Sequence, residues 1–197
     1  MRRLLLQVMT MGIVGAALTG CPSASRSPTP FYQDDLLTIA SSDLVSTDHF
    51  DAPGFGDPGW SSLSTAPGAG QRLVLLKLPS SDDIRSGWWL LGRSRDPFIA
   101  AHCTRPDDAG QTLNGTPTTI DGHPFTHFET SDAGMSHYRQ VSAWRGIAGD
   151  SCLSIEHIVQ GVRGEVFDPP RTPAFTVDAA MARLDDVNDV LTFHNTP

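Results

Sequence analysis

The side chains able to do chemistry in this chain fall into three groups. His102 and Ser151 form the first, with Asp108, Asp121 and Asp132 between them. An imidazole can take the proton of an attacking hydroxyl, and a carboxylate can orient that imidazole. In this order, His102, Ser151 and Asp132 make a candidate catalytic set. The second group is the run GHPFTHFETSDAGMSHY, which gathers His123, His127, Glu129, Asp132 and His137. Pro124 disfavours a helix through His123, so the His123/His127 spacing is not a helical metal pair. As a strand, the run points His127 and Glu129 the same way, ~6.6 Å apart. With His137 brought across from the next strand, His127 and Glu129 make a candidate metal site. Zinc signatures are tighter than this, and the simpler reading is the polar face of an antiparallel sheet. Cys103 and Cys152 form the third group.

The first of these groups carries a resemblance. AAHC (100–103) and GDSC (149–152) are similar to the histidine and serine motifs of the chymotrypsin family, and the amides of Gly149 and Ser151 fall where that family builds its oxyanion hole. Two departures weigh against an active triad. Only 48 residues lie between His102 and Ser151, where the family completes most of two barrels, and Cys152-Leu153 replaces Gly-Gly. Ser151 also sits at an expected hairpin tip, and His102 in what reads as an apolar strand.

The opening MRRLLLQVMTMGIVGAALTG has two arginines followed by an uncharged apolar run too short to span a bilayer comfortably. It has the form of a signal peptide, expected over residues 1–20. Leu18-Thr19-Gly20-Cys21 resembles the bacterial lipobox. That resemblance to the lipoprotein class implies that Cys21 is lipidated (palmitate among its chains) and becomes the mature N-terminus. Pro22 stands where an inner-membrane retention signal has Asp, so the resemblance favours the outer membrane facing the periplasm in a Gram-negative cell, and otherwise the exterior of the plasma membrane. Several acyl chains hold a protein at a bilayer where one does not. Delivery to an oxidising compartment makes Cys103–Cys152 the expected disulfide.

Composition narrows the function classes. The chain has 14 basic and 22 acidic residues, a net charge of −8; two of the basic residues are Arg2 and Arg3 of the leader, which leaves −10 for the remainder. No basic run interleaves with aromatics, so a nucleic-acid partner lacks its electrostatic footprint. Trp60, Trp88, Trp89 and Trp144 offer core anchors or a glycan or protein surface.

These side chains need elements to position them. Residues 21–34, rich in Pro and Ser, read as the lipidated cysteine and a tether, and 35–197 as one globular domain. DLLTIASSDLVS is ambiguous between strand and helix, and residues 51–70 read as loop. Arg72–Leu78, GWWLLGR and PFIAAHC read as strands. Thr118–Ile120 and Phe125–Thr130 flank an Asp-Gly turn, and His137–Ile147 and Cys152–Gln160 flank AGD as a hairpin. In the latter arm Leu153, Ile155, His157 and Val159 share the face expected to meet the core. Val177, Met181, Leu184, Val187 and Leu191 recur at helical spacing after Thr176, a capping residue. Adjacent Trp88 and Trp89 must face opposite sides of their strand, so one of them needs a cover. The expected fold is α+β: an antiparallel sheet of about five to seven strands with a C-terminal amphipathic helix packed on one face.

The functional expectation is a lipid-anchored cell-envelope protein of binding or accessory type, without a cofactor. Its partners would be the membrane through Cys21 and an envelope protein or glycan. The alternative is a small envelope hydrolase using Ser151 and His102 or a histidine–carboxylate site.

Overall fold

The computed structural model describes residues 30–51, 54–64, 66–108 and 111–194. The leader, the lipobox and Cys21 lie outside the described residues. In chain order the strands are β1 (Tyr32–Gln33), β2 (Leu37–Ile39), β3 (Val45–Ser46), β4 (Gln71–Lys77), β5 (Arg85–Ser94), β6 (Asp107–Asp108), β7 (Gln111–Thr112), β8 (Thr116–Ile120), β9 (His123–Gly134), β10 (His137–Ala148), β11 (Ser151–Val162) and β12 (Leu191–Phe193). Two α-helices, α1 (Pro97–Ala101) and α2 (Val177–Asp185), interrupt them.

A seven-stranded sheet runs β3-β4-β5-β11-β10-β9-β8, and β1-β2-β12 form a small second sheet. Each strand pair is antiparallel. The fold is thus mostly antiparallel sheet with one C-terminal helix, sheet-rich rather than evenly α+β. Tyr32–Gln33 pair with Ile39 and Thr38, so ordered strand begins inside the segment expected to be tether.

Two tight hairpins hold the register. Asp121 and Gly122 turn β8 into β9 with φ of 47° and 77°, the left-handed pair that Asp-Gly supplies at low cost. Gly149, φ 59°, opens the β10–β11 turn. A third hairpin, β9 to β10, turns on Met135 and Ser136, both left-handed and neither a turn signal by type.

β11 lies at the centre, between β5 and β10, and its residues 151–161 are all buried. The expectation that only one of its faces meets the core is therefore corrected: both do. On one side Leu153, Ile155 and Val159 join Trp89, Leu91 and Leu76 beneath Ala180 and Leu184 of α2 and Leu37, Ile39 and Phe193 of the small sheet. On the other, Ile158, Trp88 and Leu90 join Leu75, Phe128 and Val141 beneath Leu63, with Phe50 packed against them. Both tryptophans of the Trp88-Trp89 pair are fully buried. The loop between β3 and β4 is the cover for Trp88, whose ring centroid lies 4.8 Å from that of Phe50. A loop can lie this close because β5 carries Gly92, where a Cβ would fall 1.8 Å from the Trp60 carbonyl oxygen.

The loop is also tied down by a buried polar cluster. Glu156, fully buried on β11, accepts from Ser61 Oγ at 2.5 Å, Ser62 Oγ at 2.5 Å, Ser62 N at 3.0 Å and Ser154 Oγ at 2.9 Å. Arg145 donates to Ser61 Oγ at 3.0 Å and stacks over Trp60. Burial pushes the guanidinium down to about 10, with Glu156 opposing the shift. A buried carboxylate is tolerated only when its oxygens are satisfied in this way.

Two sequence expectations are corrected by local chemistry. PFIAA is helix α1, not strand: Asp96 accepts from the amides of Phe98 (2.9 Å) and Ile99 (3.1 Å), and Pro97 suits the first helical position. α2, capped by Thr176 accepting from Ala179 N, ends at Asp185, well before the apolar stripe ends. Leu191 of that stripe is buried through strand β12 instead.

Candidate functional site

The triad suggested by His102, Ser151 and Asp132 does not assemble. His102 follows α1, exposed, its Nδ1 bonded to the Phe98 carbonyl at 2.8 Å and its ring against Phe98. Ser151 is fully buried, and its hydroxyl donates to Asp150 at 2.9 Å. That bond, with Arg95, holds the Asp150 carboxyl below the usual range, so the Ser151 proton is engaged by an anion rather than an imidazole. Asp132 is exposed and pairs in register with Arg139, toward the other end of the sheet. Asp121 accepts from the Phe193 amide at 2.7 Å, a structural use. The Asp108 side chain lies outside the described part. What the two quoted motifs do share is the Cys103–Cys152 disulfide, with Cα atoms 5.4 Å apart. It pins the segment after α1 to the head of β11, beside Trp60.

The three residues suggested for a metal also separate. In the β9–β10 register, His127 faces Trp144 and Glu129 faces Ser142, so all four share one side of the sheet. His137 has the opposite parity on β10, and a Cβ on Gly54, in the loop over the other side, would lie 2.3 Å from His137 Nδ1. A one-residue parity difference thus sends His137 through the sheet. Among the described residues, no three His, Cys, Asp or Glu side chains converge as metal ligands. His123 is buried and stacked on Phe193 at 4.2 Å.

Glu129 instead lines a groove of about 680 Å³ between the β9–β10 face and α2, and His127 contacts two of its walls, Ser142 and Trp144. Glu129, Ser142, Trp144, His157, Met181 and Asp185 are among its walls. His127 Nε2 is bonded to Ser142 Oγ at 2.6 Å. Its ring stacks on Trp144 at 4.6 Å, and Trp144 meets His157 at 4.5 Å, a row of three rings across three strands. A second hollow of about 450 Å³, lined by Asp121 and Asp189, shares Trp144 and Asp185 with the first.

Asn188, just past α2, organises the far wall. Its Oδ1 accepts from Trp89 Nε1 at 3.0 Å, and its Nδ2 donates to Asp185 at 3.2 Å. These two partners fix which end of the amide is oxygen. His157 Nε2, 3.3 Å from that oxygen, must therefore carry the ring proton. Burial pushes the His157 imidazole down to about 3, despite the bond to Asn188, and His127 adds to the fall, so the ring is neutral at physiological pH. Asp185 moves the other way. Its partial burial, then Asp189 and also Asp186, raise its carboxyl above the ordinary value.

The Ser142–His127 contact has the reach of a nucleophile and base. It lacks the rest of an acyl-transfer site. β10 is paired on both sides, so the amide of Ser142 belongs to the sheet ladder and is not free to stabilise an oxyanion. Among the described residues no carboxylate lies within ion-pair distance of His127 to orient it. The groove presents aromatic faces, hydrogen-bond acceptors and concavity.

Sequence reading placed His127 and Glu129 together but did not join them to Ser142 or to Trp144, which it named only as a core anchor or surface, and it missed Asp185 and Asn188. The pairing that would have found Ser142 and Trp144 depends on the Met135-Ser136 turn, which carries no glycine or asparagine to mark it. Compared with protein-family models and with curated proteins, the chain matches none.

Proposed function

We propose that the chain is a lipid-anchored cell-envelope protein whose folded part binds a ligand at the membrane surface without turning it over. The observation that carries the binding reading is the groove walled by Trp144, His157, Glu129 and Asp185. It has the size and the mixed aromatic and polar lining of a small-molecule site. The anchor rests on the Leu18-Thr19-Gly20-Cys21 lipobox behind the apolar leader. The protein would then stand at the outer membrane facing the periplasm, or on the exterior of the plasma membrane, with the groove presented to envelope partners or glycans.

The two halves of the reading have separate tests. Radiolabelled palmitate should enter the wild-type protein and not a Cys21→Ser variant; labelling of that variant would sink the anchor. A screen of envelope glycans and small metabolites should raise the thermal midpoint of the Cys21-truncated domain, and Trp144→Ala should abolish the response. The 2.6 Å contact of His127 with Ser142 favours one rival, a hydrolase. Covalent labelling of Ser142 by a fluorophosphonate, lost in His127→Ala, would establish it and overturn the non-catalytic reading.

A further inference from the structure

We propose that the groove takes an organic ammonium, a primary amine carried on a small molecule, rather than an anion or a neutral ligand. This rests on the groove being the ligand site, and it names the chemistry that site would select.

Charge is the first argument. The charged residues lining the groove and its adjoining hollow are all acidic: Glu129 and Asp185 in the one, Asp121, Asp185 and Asp189 in the other. Among the described residues, every ion pair engages other carboxylates, so no arginine or lysine neutralises these four. The two acids of the main groove stand on different elements, Glu129 on β9 and Asp185 on α2. An entering anion would meet both; an entering cation would be drawn by both. Partial burial first, and then the neighbouring Asp189 and Asp186, raise the Asp185 carboxyl.

An acceptor in the groove wall is the second argument. His157 lines the groove yet is only 2% exposed. Its Nε2–H is engaged by Asn188, so Nδ1 holds a lone pair, and that atom has no hydrogen-bond partner among the described residues. Among the described residues the buried atoms left without a partner are His137 Nδ1, Arg145 Nε and Gln160 Nε2, so His157 Nδ1 is open to the groove, where it can accept from an entering donor. A primary ammonium brings three N–H donors.

The aromatic wall agrees. Trp144 lines both hollows, and an indole face attracts ammonium groups electrostatically. Coordination of a bare metal ion is a poorer match, because no three ligating side chains converge among the described residues. The volume of about 680 Å³ leaves room for a body attached to the amine.

Trp144 supplies the readout. Trp60, Trp88 and Trp89 are at most 1% exposed, so acrylamide quenches the emission of Trp144 alone. The lipid-free domain is titrated at low salt with cadaverine and glucosamine, and in parallel with 1,5-pentanediol and N-acetylglucosamine as their neutral counterparts. The ammonium probes should protect Trp144 and bind at least tenfold tighter than the neutral ones, an advantage that added salt erodes. Glu129→Gln and Asp185→Asn should each weaken the amines at least fivefold while leaving the thermal midpoint equal or higher. Equal binding of neutral and charged probes, or protection by neutral probes alone, overturns the ammonium inference and leaves the groove standing as a binding site. Protection by neither class overturns both.

Discussion

The neutral, buried His157 makes a quantitative prediction about acid. In the folded chain its imidazole titrates near 3, chiefly because it is buried. In the unfolded chain it titrates near 6.5. Between these values the unfolded state binds a proton that the folded state refuses. Stability is therefore full above about pH 6.5 and falls as pH drops toward 3, by about 1.4 kcal/mol per pH unit. By pH 4 the loss from this one residue is roughly 3 kcal/mol, a large part of a domain's usual stability. His157→Gln keeps an N–H donor for Asn188 Oδ1 and removes the titration. Urea midpoints of wild type and His157→Gln should be compared at pH 7, 6, 5 and 4. Asp185, Glu129 and His127, the ionisable groups around the ring, are present in both proteins. The variant should gain on the wild type steadily as pH falls. Parallel profiles across this range would refute the claim that the ring is buried and uncharged.

Three further outcomes follow from the packing. Glu156→Gln places an amide among groups that donate, and should cost about 1–3 kcal/mol in urea unfolding, against about 3–5 kcal/mol for Glu156→Ala, which leaves Arg145 buried without its carboxylate. Loss of the Cys103–Cys152 bridge in a double serine variant should cost about 3–4 kcal/mol; intact mass should show two alkylated thiols in wild type only after reduction, and their appearance without reductant would disprove the bond. Asp96→Ala should cost about 1 kcal/mol through loss of the α1 cap, whereas a strand at PFIAA would leave the urea midpoint unchanged.

Elements marked by backbone chemistry were legible in the sequence. Asp121-Gly122 announced the β8–β9 turn, because few residues accept its left-handed backbone. Gly149 did the same for β10–β11, and Thr176 for the start of α2. PFIAA was misread because its apolar run has no period; the Asp96-Pro97 pair that opens α1 was the better signal. The end of α2 was invisible because Leu191 continues the stripe while the backbone has already become strand.

By itself the sequence determined the local facts: the cysteine pair that closes into the bridge, two of the hairpins, and the parity that sends Trp88 and Trp89 to opposite faces. It could not say that both faces of β11 are covered, because that depends on what packs above and below. Nor could it join His127 of β9, Trp144 of β10, His157 of β11 and Asp185 of α2, which lie far apart in the chain. Strand periodicity states which side of a strand a residue faces. Which residues of different strands stand together depends on register, and register was decided by an unmarked turn and by the packing of the whole sheet.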